Sequence, residues 1–178
     1  MATSTSLKCV GAGVLIVDTK TSSLLLVYDY TNNYNCCGGF IKYSYDDPQG
    51  PVKTAAEELH EETRTLFSCD IDHLATCPIV DLNFYNEIFR CYILKMECEL
   101  DICKQFENFN IDELPSGEGD DYLETSSMAF FPLKQFQRKK SMKKIEETLT
   151  ATSSDGKKSP LNRRVMSVIK AAIKDKLL

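Results

Sequence analysis

Four glutamates crowd into one short stretch, AAEELHEETRTLF from Ala55 to Phe67: Glu57, Glu58, Glu61 and Glu62. On a helix, Glu58, Glu61 and Glu62 stand at i, i+3 and i+4 and share one face. Three like charges there repel one another, so a bare surface helix gains nothing from them. The same face becomes favourable beneath a hard divalent cation, because Mg²⁺ takes oxygen ligands and commonly shares them with substrate phosphates. The competing reading is a solvated acidic helix face. Upstream, Gly38-Gly39-Phe40-Ile41 follows an apolar run, and a glycine pair at such a place lets backbone approach a ligand closely. Strand, glycine loop and acidic helix together point to cation-assisted chemistry on phosphates.

These residues resemble a Nudix box, whose pattern is G-x5-E-x7-R-E-U-x-E-E-x-G-U with U aliphatic. Glu58-Leu59-His60-Glu61-Glu62 matches its E-U-x-E-E core, and Gly39 matches the first glycine. Glu57 replaces the box arginine, Arg64 replaces the second glycine, and Gln49 falls where the first glutamate should be, after a longer intervening segment. The resemblance implies an α/β/α sandwich with a mixed β-sheet and, here, C-terminal helices. It implies Mg²⁺ or Mn²⁺ held by Glu58, Glu61 and Glu62, with Glu61 also catalytic, and a substrate loop of Gly38, Gly39 and Phe40. A further carboxylate is expected from a loop before a late strand. The candidates are Glu118, Asp120, Asp121 and Glu124, with Glu124 favoured and Glu118 next.

The activity so implied is hydrolysis of a pyrophosphate bond in a nucleoside diphosphate derivative, either a nucleotide or a capped RNA. Asp120 to Glu124, Pro132-Leu133 and the closing helix look like the branch that removes caps from small nucleolar RNA and hydrolyses inosine diphosphate. The altered box also fits a nucleotide- or RNA-binding module with weakened turnover, although such a module has no need of three self-repelling acids. A third reading is an acidic structural domain with a basic tail for protein contacts.

The departures need their own account. Arg64 lies seven residues beyond Glu57, close to two helical turns, and so returns to nearly the same face. It either restores the positive charge missing at position 57 or is simply exposed. His60 holds the variable box position and is expected to face solvent, and His73 to end a loop. Tyr28, Tyr30, Tyr34, Phe40 and Tyr43 flank the glycine loop; they are expected as core or rim, with one or two available to stack on a base.

The elements that must position these residues follow from the apolar pattern. Val10 to Val17 and Leu24 to Tyr30 read as strands. A helix is expected from about Val52 to Phe67, with Pro51 in its first turn. Strands follow at His73 to Asp81, Ile88 to Met96 and Leu123 to Phe131. Asp101 to Phe109 reads as a short helix or irregular loop, and Asp112 to Tyr122 as a mobile acidic loop. Lys134 to Thr148 is expected as a helix. The domain is placed at 1–149, a flexible linker at 150–160, and a docking amphipathic helix at 161–178.

At 178 residues, 43% apolar and 26% charged, the chain suits one domain with a sizeable core. It has no apolar run of membrane length and no signal-peptide centre near Met1. Its eight cysteines include no CxxC, which argues for reduced thiols in a cytoplasmic or nuclear setting. The net charge of −5 divides unevenly: residues 1–133 carry −14 and residues 134–178 carry +9. An acidic catalytic face and a basic tail suit an enzyme that handles polyanions, RNA among them; a solvated helical face is the plainer reading.

Overall fold

The computed structural model describes residues 7–44, 47–84, 86–110 and 121–178, apart from the side chain of Asp121. β1 (Lys8–Asp18) is the spine. Its side chains alternate between two cores: Ala12, Val14 and Ile16 enter one, Leu15 and Val17 the other. β2 (Ser23–Asp29) divides in the same way, with Leu25 and Val27 on the first side and Leu24 and Leu26 on the second. A near-continuous apolar run is what a strand covered on both faces needs.

β3 (Tyr34–Asn35), β4 (Cys37–Phe40), β5 (Ile79–Phe84), β6 (Glu87–Met96) and β7 (Thr125–Pro132) complete a seven-stranded mixed sheet. β6 runs parallel to β1 along its whole length, from Lys8↔Glu87 to Asp18↔Met96. The other edge of β1 is divided: β2 pairs with its end through Ile16↔Leu25, and β4 with its first half from Gly11↔Phe40 to Val14↔Cys37, both antiparallel. β7 lies antiparallel to β2.

Helices cover both faces. α1 (Gly50–Glu62), α2 (Ile71–Thr76) and α3 (Ile102–Glu107) bury Val52, Ala55, Leu59, Leu74, Ile102 and Phe106 on one side. α4 (Lys134–Gln137), α5 (Lys139–Thr148) and α6 (Arg163–Lys174) bury Phe136, Ile145, Val165 and Ile169 on the other. The α/β/α layering therefore stands. No helix among the described residues is long and apolar enough to cross a membrane, and all eight cysteines are free thiols.

Several elements differ from expectation. The expected strand from His73 begins with α2, because the Asp70 carboxylate caps it by accepting from the amides of Asp72 (2.8 Å) and His73 (3.4 Å); β5 starts only at Ile79. The helix expected to run to Phe67 stops at Glu62, where Arg64 and Thr65 turn to φ 52° and 66°. The expected helix 134–148 breaks at Arg138, whose ψ of 116° is extended. The expected linker 150–160 forms an antiparallel pair, β8 (Thr150–Thr152) and β9 (Lys158–Pro160), with Ala151 in the core. Most of the expected loop 112–122 lies outside the described residues; Asp121–Leu123 is a 3₁₀ turn.

Candidate active site

The last two turns of α1 place Glu58, Glu61 and Glu62. Burying Val52, Ala55 and Leu59 against β1 fixes the rotation of the helix and turns Glu58 and Glu62 inward, each only 6% exposed. Glu62 Oε2 accepts from the amide of Gly38 at 2.8 Å. Burial, reinforced by the charge of Glu58, pushes its carboxyl well above the usual range, with the Gly38 amide pulling the other way. Glu58 is raised too, chiefly by burial, with Lys42 opposing and Glu61 and Glu124 adding repulsion.

The glycine pair makes that arrangement possible. A Cβ on Gly39 would stand 2.5 Å from Glu58 Oε1, so only glycine leaves room for the carboxylate. Gly38 has φ 154°, in a region that side chains rarely adopt. Beyond the pair, Lys42 Nζ bridges two glutamates: it lies 3.2 Å from Glu58 Oε1 and pairs closely with Glu61 Oε2. Partial burial would lower its pKa, but the hydrogen bond to Glu61 and the charges of both glutamates prevail and raise it.

These residues line a cleft of about 600 Å³ that includes Gly38, Gly39, Phe40, Lys42, Glu58, Glu62, Glu124 and Arg164. Glu124 lines the same cleft as Glu58 and Glu62, while Glu61 is not among its lining residues. Glu118 and Asp120 lie outside the described residues, and nothing is described of the Asp121 side chain. Phe40 and Tyr30, at 83% and 75% exposure, stand open at the cleft wall. Tyr28, Tyr34 and Phe131 instead stack edge to face in series, at 5.0 Å for each pair of ring centroids. The Tyr43 hydroxyl donates to Glu57, which pushes the phenol up to about 12.

Neither reading of Arg64 holds. It is not at the surface, with 9% exposure, and it is not turned back toward Glu57. Its Nη1 donates to Phe106 O (3.1 Å), its Nη2 to Thr125 O (2.9 Å), and its guanidinium lies 4.1 Å over the Phe106 ring. It therefore ties the end of α1 to α3 and β7. His60 is half-buried, its ring 6.1 Å from that of Tyr122, and His73 lies within α2.

Arg164, which the charge count placed only within the basic stretch 134–178, lines the cleft. Its Nη2 donates to Gly38 O at 3.0 Å, and its guanidinium lies 4.6 Å over the Phe89 ring. Asn162 caps α6 by accepting from the Arg164 amide at 2.8 Å. The signal was present in Asn162-Arg163-Arg164: arginines in a first helical turn oppose the macrodipole, so one of them needs a partner elsewhere.

No family model matches the chain, and no curated protein does. Among solved structures it is similar to the NUDIX domain of Shewanella oneidensis NrtR, complexed with ADP ribose. That alignment covers 96% of this chain and 89% of that one, at 14% identity and a TM-score of 0.47. Function is therefore read from the chain's own side chains.

The donors suit a hard divalent cation in kind: carboxylate oxygens, two of them on buried and mutually repelling groups. Among the described residues, no group of three His, Cys, Asp or Glu side chains is placed to hold a metal ion together. Mg²⁺ does not require one, since it usually keeps waters and takes one or two carboxylates plus substrate phosphates. The gap between Glu58 and Glu61 is spanned by the ammonium of Lys42.

Proposed function

We propose that this cleft binds a nucleoside diphosphate derivative and hydrolyses its pyrophosphate bond with the help of Mg²⁺ or Mn²⁺. The observation that carries this reading is the burial of Glu58 and Glu62 side by side in a cleft that also holds Glu124 and two cationic side chains. Two desolvated carboxylates are costly unless something cationic enters. Glu58, Glu61 and Glu62 would hold the metal, which when bound would neutralise phosphate charge and activate water.

The chain's own residues supply the rest. Gly38 and Gly39 bring backbone against the carboxylates, and the Gly38 amide orients Glu62. Arg164, anchored on Gly38 O and Phe89, offers a fixed cation to a phosphate oxygen. Phe40 and Tyr30 offer open faces to a base. Glu124 is the candidate general base, in the same cleft.

Capped RNA belongs to the same substrate class and is kept within the reading. A panel of nucleoside diphosphates, nucleotide sugars, dinucleoside polyphosphates and capped RNA, assayed with Mg²⁺ and Mn²⁺, tests it. Metal-dependent release of a phosphorylated product, abolished reversibly by EDTA, is the expected result. Metal-independent binding without turnover across the whole panel would leave the binding-module reading in its place.

A further inference from the structure

Lys42 is a cationic residue of the cleft to which the proposed chemistry gives no step. It stands three residues beyond Gly39, its side chain is 34% exposed, and its ammonium spans Glu58 and Glu61. Those two carboxylates are also the ones a divalent cation would have to join. A single ammonium and a divalent ion cannot share that space, because both are attracted to the same oxygens and repel each other at contact range.

We propose that Lys42 is a tethered counter-ion: it neutralises the carboxylate cluster of the metal-free protein and must swing out before a divalent cation enters. This rests on the reading of Glu58, Glu61 and Glu62 as metal ligands and adds to it a control on metal affinity. The device has a physical motive. Glu58 is buried, and in the metal-free protein Lys42 is the cation that pairs with it and with Glu61; removing one partner of a buried pair is destabilising. Lys42 supplies a weak monovalent substitute from within the chain.

The displaced side chain also has somewhere to go. Lys42 borders the same cleft as Arg164 and Phe40, and its flexible four-carbon stem lets the ammonium turn from the carboxylates to an incoming phosphate oxygen. Metal and diphosphate then assist each other: the metal frees Lys42 for the phosphate, and the phosphate holds Lys42 away from the metal. By linkage, each raises the affinity of the other by the same factor.

The test is Mn²⁺ binding by isothermal titration to the wild-type chain, Lys42→Met and Lys42→Arg, alone and with methylenediphosphonate as a non-hydrolysable probe. Lys42→Met is expected to bind Mn²⁺ alone roughly tenfold more tightly than wild type, and Lys42→Arg to stay near wild type. The probe should tighten Mn²⁺ binding to wild type and lose most of that effect in Lys42→Met. Thermal melting of the metal-free proteins provides a second readout: Lys42→Met should melt lower than wild type and recover when Mn²⁺ is added. Equal Mn²⁺ affinity in wild type and Lys42→Met overturns the counter-ion role while leaving the metal site standing. Absence of Mn²⁺ binding in all three proteins overturns the metal reading itself, and the inference with it.

Discussion

Glu62 is a carboxylate held where carboxylates are disfavoured: 6% exposed, beside Glu58, with one backbone amide as its hydrogen-bond donor. Glu61, on the same helix, instead has the ammonium of Lys42 against it. The two therefore separate in stability although both serve the proposed chemistry. Glu62→Gln keeps an oxygen for the Gly38 amide and removes the buried charge. Metal-free at pH 8, it should be more stable than wild type by on the order of 1 kcal/mol, or a melting rise of about 2–4 °C. Glu61→Gln removes an ion pair and should change stability by less than about 1 kcal/mol, downward. Both should lower turnover by roughly 10²-fold or more on the substrate the panel identifies. A Glu62→Gln protein that melts lower than wild type under metal-free conditions contradicts the burial argument.

Asp18, at the end of β1, behaves in the opposite way. Burial tends to raise its carboxyl, but hydrogen bonds from the Thr21 hydroxyl and from the amides of Cys98, Thr21 and Lys20 prevail and hold it below its usual 3.8. A depressed folded pKa stabilises above the unfolded value of about 3.9, and that contribution is lost as pH falls through the folded value. Asp18→Asn should therefore lose stability at pH 7, and its deficit against wild type should shrink as the pH is lowered below about 4. Urea unfolding of both proteins at pH 7 and pH 3 measures this; a deficit that stays constant would remove Asp18 as the cause.

At the scale of elements, the end of α1 shows what the residue pattern carried and what it did not. The alternation of Ala12, Val14 and Ile16 with Leu15 and Val17 made a doubly covered strand legible, because a period of two is local. The common face of Glu58 and Glu62 was legible for the same reason, since i,i+4 spacing is a helix property. The stop at Glu62 was not: helix propensity favours continuing through Thr63 and Arg64, and only contacts from α3 and β7 turn Arg64 to φ 52°. Arg64 takes a backbone shape that glycine adopts freely and uses its side chain as a tie. Arg64→Ala should lose about 2–3 kcal/mol, because two buried carbonyls lose their donor and the backbone strain remains. Arg64→Gly loses the same donors and relieves the strain. It should be more stable than Arg64→Ala by about 0.5–1 kcal/mol, the reverse of the order in a helix interior. Guanidinium unfolding of the pair decides the order. Arg164 escaped notice for a related reason: its partner Gly38 is remote in sequence, and only the docking of α6 brings the two together.

Across the whole molecule, the charge asymmetry acquires a geometry. α1 and its acids lie on one face of the sheet, while α5 lies on the other and exposes Lys139, Lys140, Lys143 and Lys144. Lys143 makes only a loose i,i+4 pair with Glu147 at 3.9 Å, and Lys170 of α6 pairs with Glu146. Arg164 belongs to the cleft, so the basic tail is not a single surface. A small nucleoside diphosphate filling a cleft of about 600 Å³ meets Arg164 and Lys42 and leaves the α5 lysines untouched. If a capped RNA leaving the cleft contacts them, each phosphate it places there releases counterions. Replacing Lys139, Lys140, Lys143 and Lys144 with Gln should therefore raise KM for capped RNA while leaving KM for a free nucleoside diphosphate within error. For the RNA, the same variant should flatten the dependence of log affinity on log salt, by up to about 3 in slope if all four lysines contact single-stranded phosphates. Steady-state kinetics at several salt concentrations with both substrates measures both effects. Equal changes for both substrates, or none for either, would confine recognition to the cleft and make the protein a small-nucleotide pyrophosphatase, with α5 a solvated face.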